Sequence, residues 1–142
     1  MLTPHDVALM KSSFARIEPL GSNATVAFYD RLFDEAPDVR KLFGVTIDVQ
    51  AEKLWDALKF VLDSIDNLDA CESALLALGA RHAKFDLNAD HYALVARILI
   101  DVVQENSNGH WTKGHSLAWK KTLDHISEIM LNGSKNAATA VA

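Results

Sequence analysis

The chain has 142 residues, enough for one domain with a real core and too few for two. Hydrophobic residues make up 49% and charged residues 23%, which excludes a wholly disordered chain, and the lone cysteine, Cys71, excludes both an intrachain disulfide and a cysteine-rich metal site. Fourteen Lys and Arg stand against nineteen Asp and Glu, a net charge of −5 with no basic block, so a nucleic-acid groove or an anionic membrane surface is a poor partner.

Thr3-Pro4, with Asp6 three residues after the threonine, predicts a capped helix start with proline in the first turn. Val7, Met10, Phe14 and Ile17 then share one helical face until Pro19 and Gly21 stop it. Ser22 is expected to cap a second helix, with a stripe through Thr25, Phe28, Tyr29, Leu32 and Phe33. Ala36-Pro37 ends it, because proline pushes the preceding residue out of the α region. A short third helix from Pro37 to about Leu42 carries Val39, Leu42 and Phe43. Asp48 opens a long fourth helix on which Gln50, Leu54, Ala57, Leu58 and Val61 share a face.

The Asn67–Asp69 break precedes a fifth helix, with Leu75, Leu78 and His82 on one stripe. Asn88 caps a sixth, lined by Tyr92, Val95, Leu99 and Val102. After the polar loop 104–109, Thr112 caps the last helix, whose Trp119, Leu123, Ile126 and Met130 face inward. Asn132-Gly133 and the alanine-rich end read as a stop and a frayed tail over 132–142. Strand signals are weak and no long repeat occurs, so the fold class is all-α, about seven helices in a single domain over 1–142. The uneven helix lengths fit an up-down four-helix bundle poorly. No signal peptide precedes the first helix and no window reaches the ~18 apolar residues of a membrane span, so the expectation is a cytoplasmic domain with no membrane insertion.

No phosphate-binding glycine loop, nucleophile elbow or zinc-protease motif is present. The chemistry must therefore lie in polar groups on apolar faces. Four of the six histidines read as solvated positions, and His110 and His115 are spaced so that their rings do not share a helix face. His82 continues the Leu75–Leu78 stripe, while Arg81 points elsewhere. It is either a core histidine satisfied by a backbone carbonyl or by a hydroxyl such as that of Tyr92, or an axial metal ligand with its second ring nitrogen held by an acceptor. Gln50 aims an amide inward, either toward a free N–H at its helix start or into a pocket. Tyr29 carries a hydroxyl into its stripe, toward a backbone carbonyl or into that same pocket. Together the three suggest an apolar cavity with a few convergent polar groups. Phe28, Phe33, Phe43, Phe60 and Phe85 would supply aromatic surface around it, with Phe43 at a corner suited to wall a flat ligand.

The chain resembles the globins, and among them the bacterial single-domain haemoglobins related to flavohaemoglobins. The likeness rests on Phe28-Tyr-Asp-Arg-Leu-Phe33, Pro37-Asp-Val-Arg-Lys-Leu-Phe43 and Gln50-Ala-Glu-Lys-Leu54, and then on Ile65-Asp-Asn-Leu68, Leu78-Gly-Ala-Arg-His82 and His91-Tyr92-Ala-Leu-Val95, in order over about residues 2–131. It implies a haem b (iron protoporphyrin IX) between the fourth and fifth helices. His82 would be the proximal iron ligand, and Gln50 and Tyr29 the distal donors. The resemblance further implies Phe43 stacked on the macrocycle, Leu54 and Leu58 walling the ligand side, Phe85 and Leu87 lining the haem, and Lys53 at a propionate or the pocket mouth. Tyr92 matches the tyrosine near the proximal imidazole. A glutamate expected late in the last helix is replaced by Ser134, with Glu128 too early, which counts against a strong proximal push on the iron.

The implied function is reversible binding of O2 and other diatomic gases such as nitric oxide and CO, supporting oxidation of nitric oxide to nitrate. The chain ends before any flavin or nicotinamide domain, so turnover calls for a separate flavin reductase. The alternatives are a non-catalytic O2 carrier or store, a gas-sensing interaction module, and a haem-free helical protein.

Overall fold

Each apolar stripe of the sequence becomes a helix. The structure, a computed structural model, describes residues 2–44 and 46–141, without the side chains of 138–141; Met1, Val45 and Ala142 lie outside it. In chain order the α-helices are α1 (Pro4–Ile17), α2 (Ser22–Glu35), α3 (Ile47–Asp63), α4 (Glu72–His82), α5 (Ala89–Glu105) and α6 (Lys113–Val141). Four 3₁₀ segments join them, at Glu18–Leu20, Pro37–Leu42, Ile65–Cys71 and Ala83–Phe85, and the described residues include no strand. The expected all-α fold is therefore observed, with the short third helix as the 3₁₀ turn Pro37–Leu42 and the break at Asn67 as a non-helical residue at φ −148°.

The caps follow the sequence at three helices. Thr3 and Asp6 form a reciprocal box at α1, and Asn88 and His91 do the same at α5. At α6 the Thr112 N–H donates to His115 Nδ1 at 3.1 Å, and the His115 N–H returns to Thr112 Oγ1 at 3.4 Å. The expected Ser22 cap is not formed. Ser22 is already helical, Gly21 holds the cap position at φ +53° where glycine carries no steric penalty, and no side chain caps α2.

One core cluster joins α1, α2, α3, α5 and the first half of α6, through Met10, Phe14, Phe28, Leu58, Val102 and Trp119 among others. Trp119 is 1% exposed, and its indole N–H donates across the core to Ser13 Oγ at 2.8 Å, so the buried donor is satisfied. Thr25 Oγ1 donates at 2.6 Å to the carbonyl of Ala51, pinning α2 to α3 where they cross. A second, smaller cluster of Cys71, Leu75 and Ile129 lies apart, between α4 and α6.

Two expectations fail in this packing. Phe60 is 45% exposed rather than turned to the pocket, because α3 buries Leu58, Val61 and Leu62, and Phe60 falls outside that face. The helix stop expected at Asn132-Gly133 is absent, and α6 runs on to Val141. An interior glycine costs a helix roughly 1 kcal/mol relative to alanine, and here the neighbouring backbone offsets it. A Cβ on Gly133 would sit 2.9 Å from the carbonyl carbon of Leu76, so α4 lies where any side chain would be.

Candidate functional site

The site begins with how the helices part. α4 packs almost wholly on α6, and α3 packs on α2, so α3 and α4 scarcely touch. The apolar residues on this side are only half-buried: Phe43, Leu54, Leu78, Phe85 and Leu87, with Leu58 buried behind them. The residues therefore fit a large flat apolar group set between α3 and α4.

His82 ends α4, half-buried, with its ring 6.1 Å from that of Phe85. Its Nδ1 lies 2.7 Å from the carbonyl oxygen of Leu78, one turn earlier on the same helix. A carbonyl only accepts, so Nδ1 carries the proton and, in the neutral ring, Nε2 holds the lone pair. Nε2 has no hydrogen-bond partner among the described residues. This is the tautomer and orientation that a metal-ligating histidine requires. Of the alternatives open in the sequence, the carbonyl is the partner and the Tyr92 hydroxyl is not.

Tyr29 and Gln50 come together across α2 and α3, with Gln50 Nε2 donating to the Tyr29 hydroxyl at 3.2 Å. The phenol is 4% exposed, and burial raises its pKa while the Gln50 hydrogen bond opposes the rise. It stays protonated, and because its oxygen accepts from Gln50, its own proton is free to be donated elsewhere. Phe28, Phe33 and Phe43 surround the ring at centroid distances of 5.0, 5.7 and 5.4 Å. Phe43 also meets Phe33 edge-on at 5.5 Å, which holds it at the corner after the 3₁₀ turn.

Tyr92, near the start of α5, is the one anomaly. Its buried hydroxyl has no partner among the described residues, and burial raises its pKa. An unmade hydrogen bond of this kind costs roughly 1–3 kcal/mol, a reason to expect a group the chain itself does not supply. Ser134 is half-buried and Glu128 exposed, and neither bonds to Tyr92. Lys53 is exposed on α3 and Lys84 lies 5.2 Å over the Phe85 ring, so both place a cation beside the slot's residues without an ion-pair partner among the described residues.

The described residues hold no cluster of three or more His, Cys, Asp or Glu that could bind a bare metal ion. Two open clefts lie elsewhere, against α1, one bordered by Leu2, Val7 and Asp66 and the other by Phe14, Glu18 and Lys59, and neither contains a histidine. Sequence reasoning missed His115, which is buried and stacks on Trp111 at 5.1 Å, although its place three residues after Thr112 is a capping-box signal. It also left Gly79 unremarked, where a Cβ would lie 2.6 Å from Met130 Cα.

Comparisons with known proteins agree on the fold. The Globin family profile matches residues 26–130. The chain is similar to the Flavohemoprotein of Vibrio cholerae serotype O1, at 26% identity over 135 residues and 93% of this chain, but spans only about a third (34%) of that relative's length. It is also similar to an uncharacterized globin-like protein of Aquifex aeolicus, at 24% identity over 137 residues, 95% of this chain and 96% of that one. Among solved structures it superposes on an engineered carbene transferase derived from RmaNOD, a suggested nitric oxide dioxygenase of Rhodothermus marinus, with TM-score 0.82, 26% identity and coverage of 99% and 96%. A bacterial globin from Campylobacter jejuni gives TM-score 0.81 at 19% identity, covering 96% of this chain and 99% of that one.

Proposed function

Because the chain belongs to the globin family, which implies a haem cofactor, we propose that it holds haem b between α3 and α4 and binds O2 and other diatomic gases there. The observation that carries the reading is the His82 imidazole, with its Nδ1 proton given to Leu78 and its Nε2 lone pair left without a partner. His82 would hold the haem iron as its proximal ligand, and the group when bound would supply an iron able to take O2, CO or nitric oxide reversibly.

The chain's own residues set what happens at that position. The Tyr29 hydroxyl donates to the bound gas, and Gln50, by donating to the phenol oxygen, sharpens that donation and fixes its direction. A buried donor stabilises developing negative charge on the ligand more than water does, so O2 is retained. Leu54, Leu58 and Phe43 exclude water from the same side, and Phe85 and Leu87 cover the other. Lys53, exposed on α3, would serve a haem propionate or the pocket mouth, and the unpartnered Tyr92 hydroxyl would lie near the proximal imidazole.

The relatives' names support one use of retained O2, the dioxygenation of nitric oxide, which would give nitrate and would draw electrons from a flavin reductase. The proximal partner being a neutral carbonyl rather than a carboxylate agrees with binding and release of intact gas more than with O–O cleavage. The test is direct. The purified protein supplied with hemin should be coloured and bind O2 reversibly, and mixing the oxygenated form with nitric oxide should yield stoichiometric nitrate. Reversible O2 binding without nitrate would leave an O2 carrier or store, and a colourless protein indifferent to hemin would sink both readings.

A further inference from the structure

α4, the helix that carries His82, has eleven residues, short of the roughly 12–15 at which an isolated helix holds in water. 3₁₀ segments flank it on both sides, Ile65–Cys71 with its kink at Asn67 and Ala83–Phe85 before the left-handed Asp86. The main core gives it little support. Leu75, its most buried large side chain, belongs to the separate cluster with Cys71 and Ile129, while Leu78 and His82, further along the same stripe, are only half-buried at the slot. The position of α4 is therefore set almost entirely by α6.

The contact with α6 is backbone against backbone at two glycines, one on each helix. A Cβ on Gly79 would lie 2.6 Å from the Cα and carbonyl carbon of Met130, and one on Gly133 would lie 2.9 and 3.0 Å from the carbonyl carbon and Cα of Leu76. Both are distances that real side chains do not reach, and the obstructing atoms are backbone, which cannot rotate aside. Gly79 directly follows Leu78, whose carbonyl anchors the imidazole, and stands three residues before His82. Any shift of α4 at this crossing therefore carries the imidazole and its anchor together.

From this geometry we infer that Gly79 and Gly133 are positioning residues for His82, locking α4 against α6 so that the imidazole is presented before haem arrives. The inference rests on the haem reading above. It gives the part of α6 beyond Met130 a purpose, and it makes haem entry a docking onto a preformed face rather than the event that orders α4.

Hydrogen exchange on the full wild-type chain, before and after hemin, tests this without any variant. The α4 amides should be protected in the haem-free protein to about the same degree as those of α6. Free exchange of α4 until hemin is added would overturn the inference. Variants give the second arm, with Leu75→Ala as a control that loosens the same interface without adding bulk. Gly79→Ala and Gly133→Ala should shift the Fe–His stretching frequency of the ferrous protein and release haem to a scavenger roughly tenfold faster or more. Leu75→Ala should lower the melting temperature while leaving that frequency in place. Folded glycine variants with an unchanged frequency, or an equal shift in Leu75→Ala, would refute the assignment. Protected α4 amides in a chain that takes up no hemin would sink the haem reading and leave the clamp standing.

Discussion

Gln50 donates to the hydroxyl of Tyr29 across a 3.2 Å gap between α3 and α2, which leaves the phenol proton uncommitted at the centre of an aromatic cage. The pair has an order: the tyrosine is the donor to a bound gas, and the glutamine supports it.

Tyr29→Phe should therefore speed O2 release from the haem-loaded protein more than Gln50→Leu does. A hydrogen bond to a group bearing partial charge is worth roughly 1.5–3 kcal/mol, so the phenylalanine variant should release O2 on the order of 10- to 100-fold faster. Stopped-flow displacement of O2 by CO measures both, and equal or reversed effects would mean that the amide, not the phenol, faces the gas.

His82→Ala should abolish tight haem retention while leaving the helical content intact, because the ring is half-exposed and its one hydrogen bond is local to its own helix. Added imidazole should restore an axially ligated spectrum by filling the space left behind. Hemin titration followed by absorbance reads both effects, and a variant with the parental affinity and spectrum would remove position 82 from the iron.

His115 makes the junction of α5 and α6 sensitive to mild acid. Its Nδ1 accepts the Thr112 N–H, so only the neutral ring caps α6, and burial above all, with the charges of Arg16 and His5, lowers its pKa from 6.5. The unfolded chain thus takes up this proton first as pH falls. Stability should be flat above about pH 6.5 and decline below it. His115→Gln keeps an acceptor at the third position of the capping box and should flatten that decline in urea midpoints measured across the range. A slope that persists unchanged would assign the acid sensitivity to another group.

Asp6 governs a lower step. The Thr3 N–H first, and the Lys121 ammonium at 3.0 Å second, hold its carboxyl down at about 2 from 3.8, tying α1 to α6. The stability it contributes is complete above about pH 3.8 and is lost as the pH falls from there toward about 2. Asp6→Asn should destabilise the protein at neutral pH and give a shallower acid limb in the same titration. A variant that matches the parent at neutral pH would show the pair to be without net effect.

The candidate site was legible because its polar members break a pattern that is otherwise apolar. Tyr29, Gln50 and His82 each stand on a helical stripe, and a stripe is a local property, set by 3.6 residues per turn and visible in a short window. The caps at Thr3, Asn88 and Thr112 were legible for the same reason, since each bond closes within three residues. Phe60 was misread because membership of an aromatic set says nothing about direction, whereas its register on α3 points it to solvent. Gly133 was misread because Asn-Gly after a helical run is a common stop, and only the backbone of α4 makes glycine necessary in mid-helix.

Composition and periodicity thus determined the all-α class, the faces that turn inward, and the three polar side chains those faces carry. Tertiary structure alone decided that Gln50 meets Tyr29, that Trp119 finds Ser13 from 106 positions away, and that α4 leaves the main core to lie on α6. The reason is physical: burial pattern follows from neighbours along the chain, but the partner of a buried donor and the distance between two helices depend on backbone crossings between segments far apart in sequence, which no local window contains.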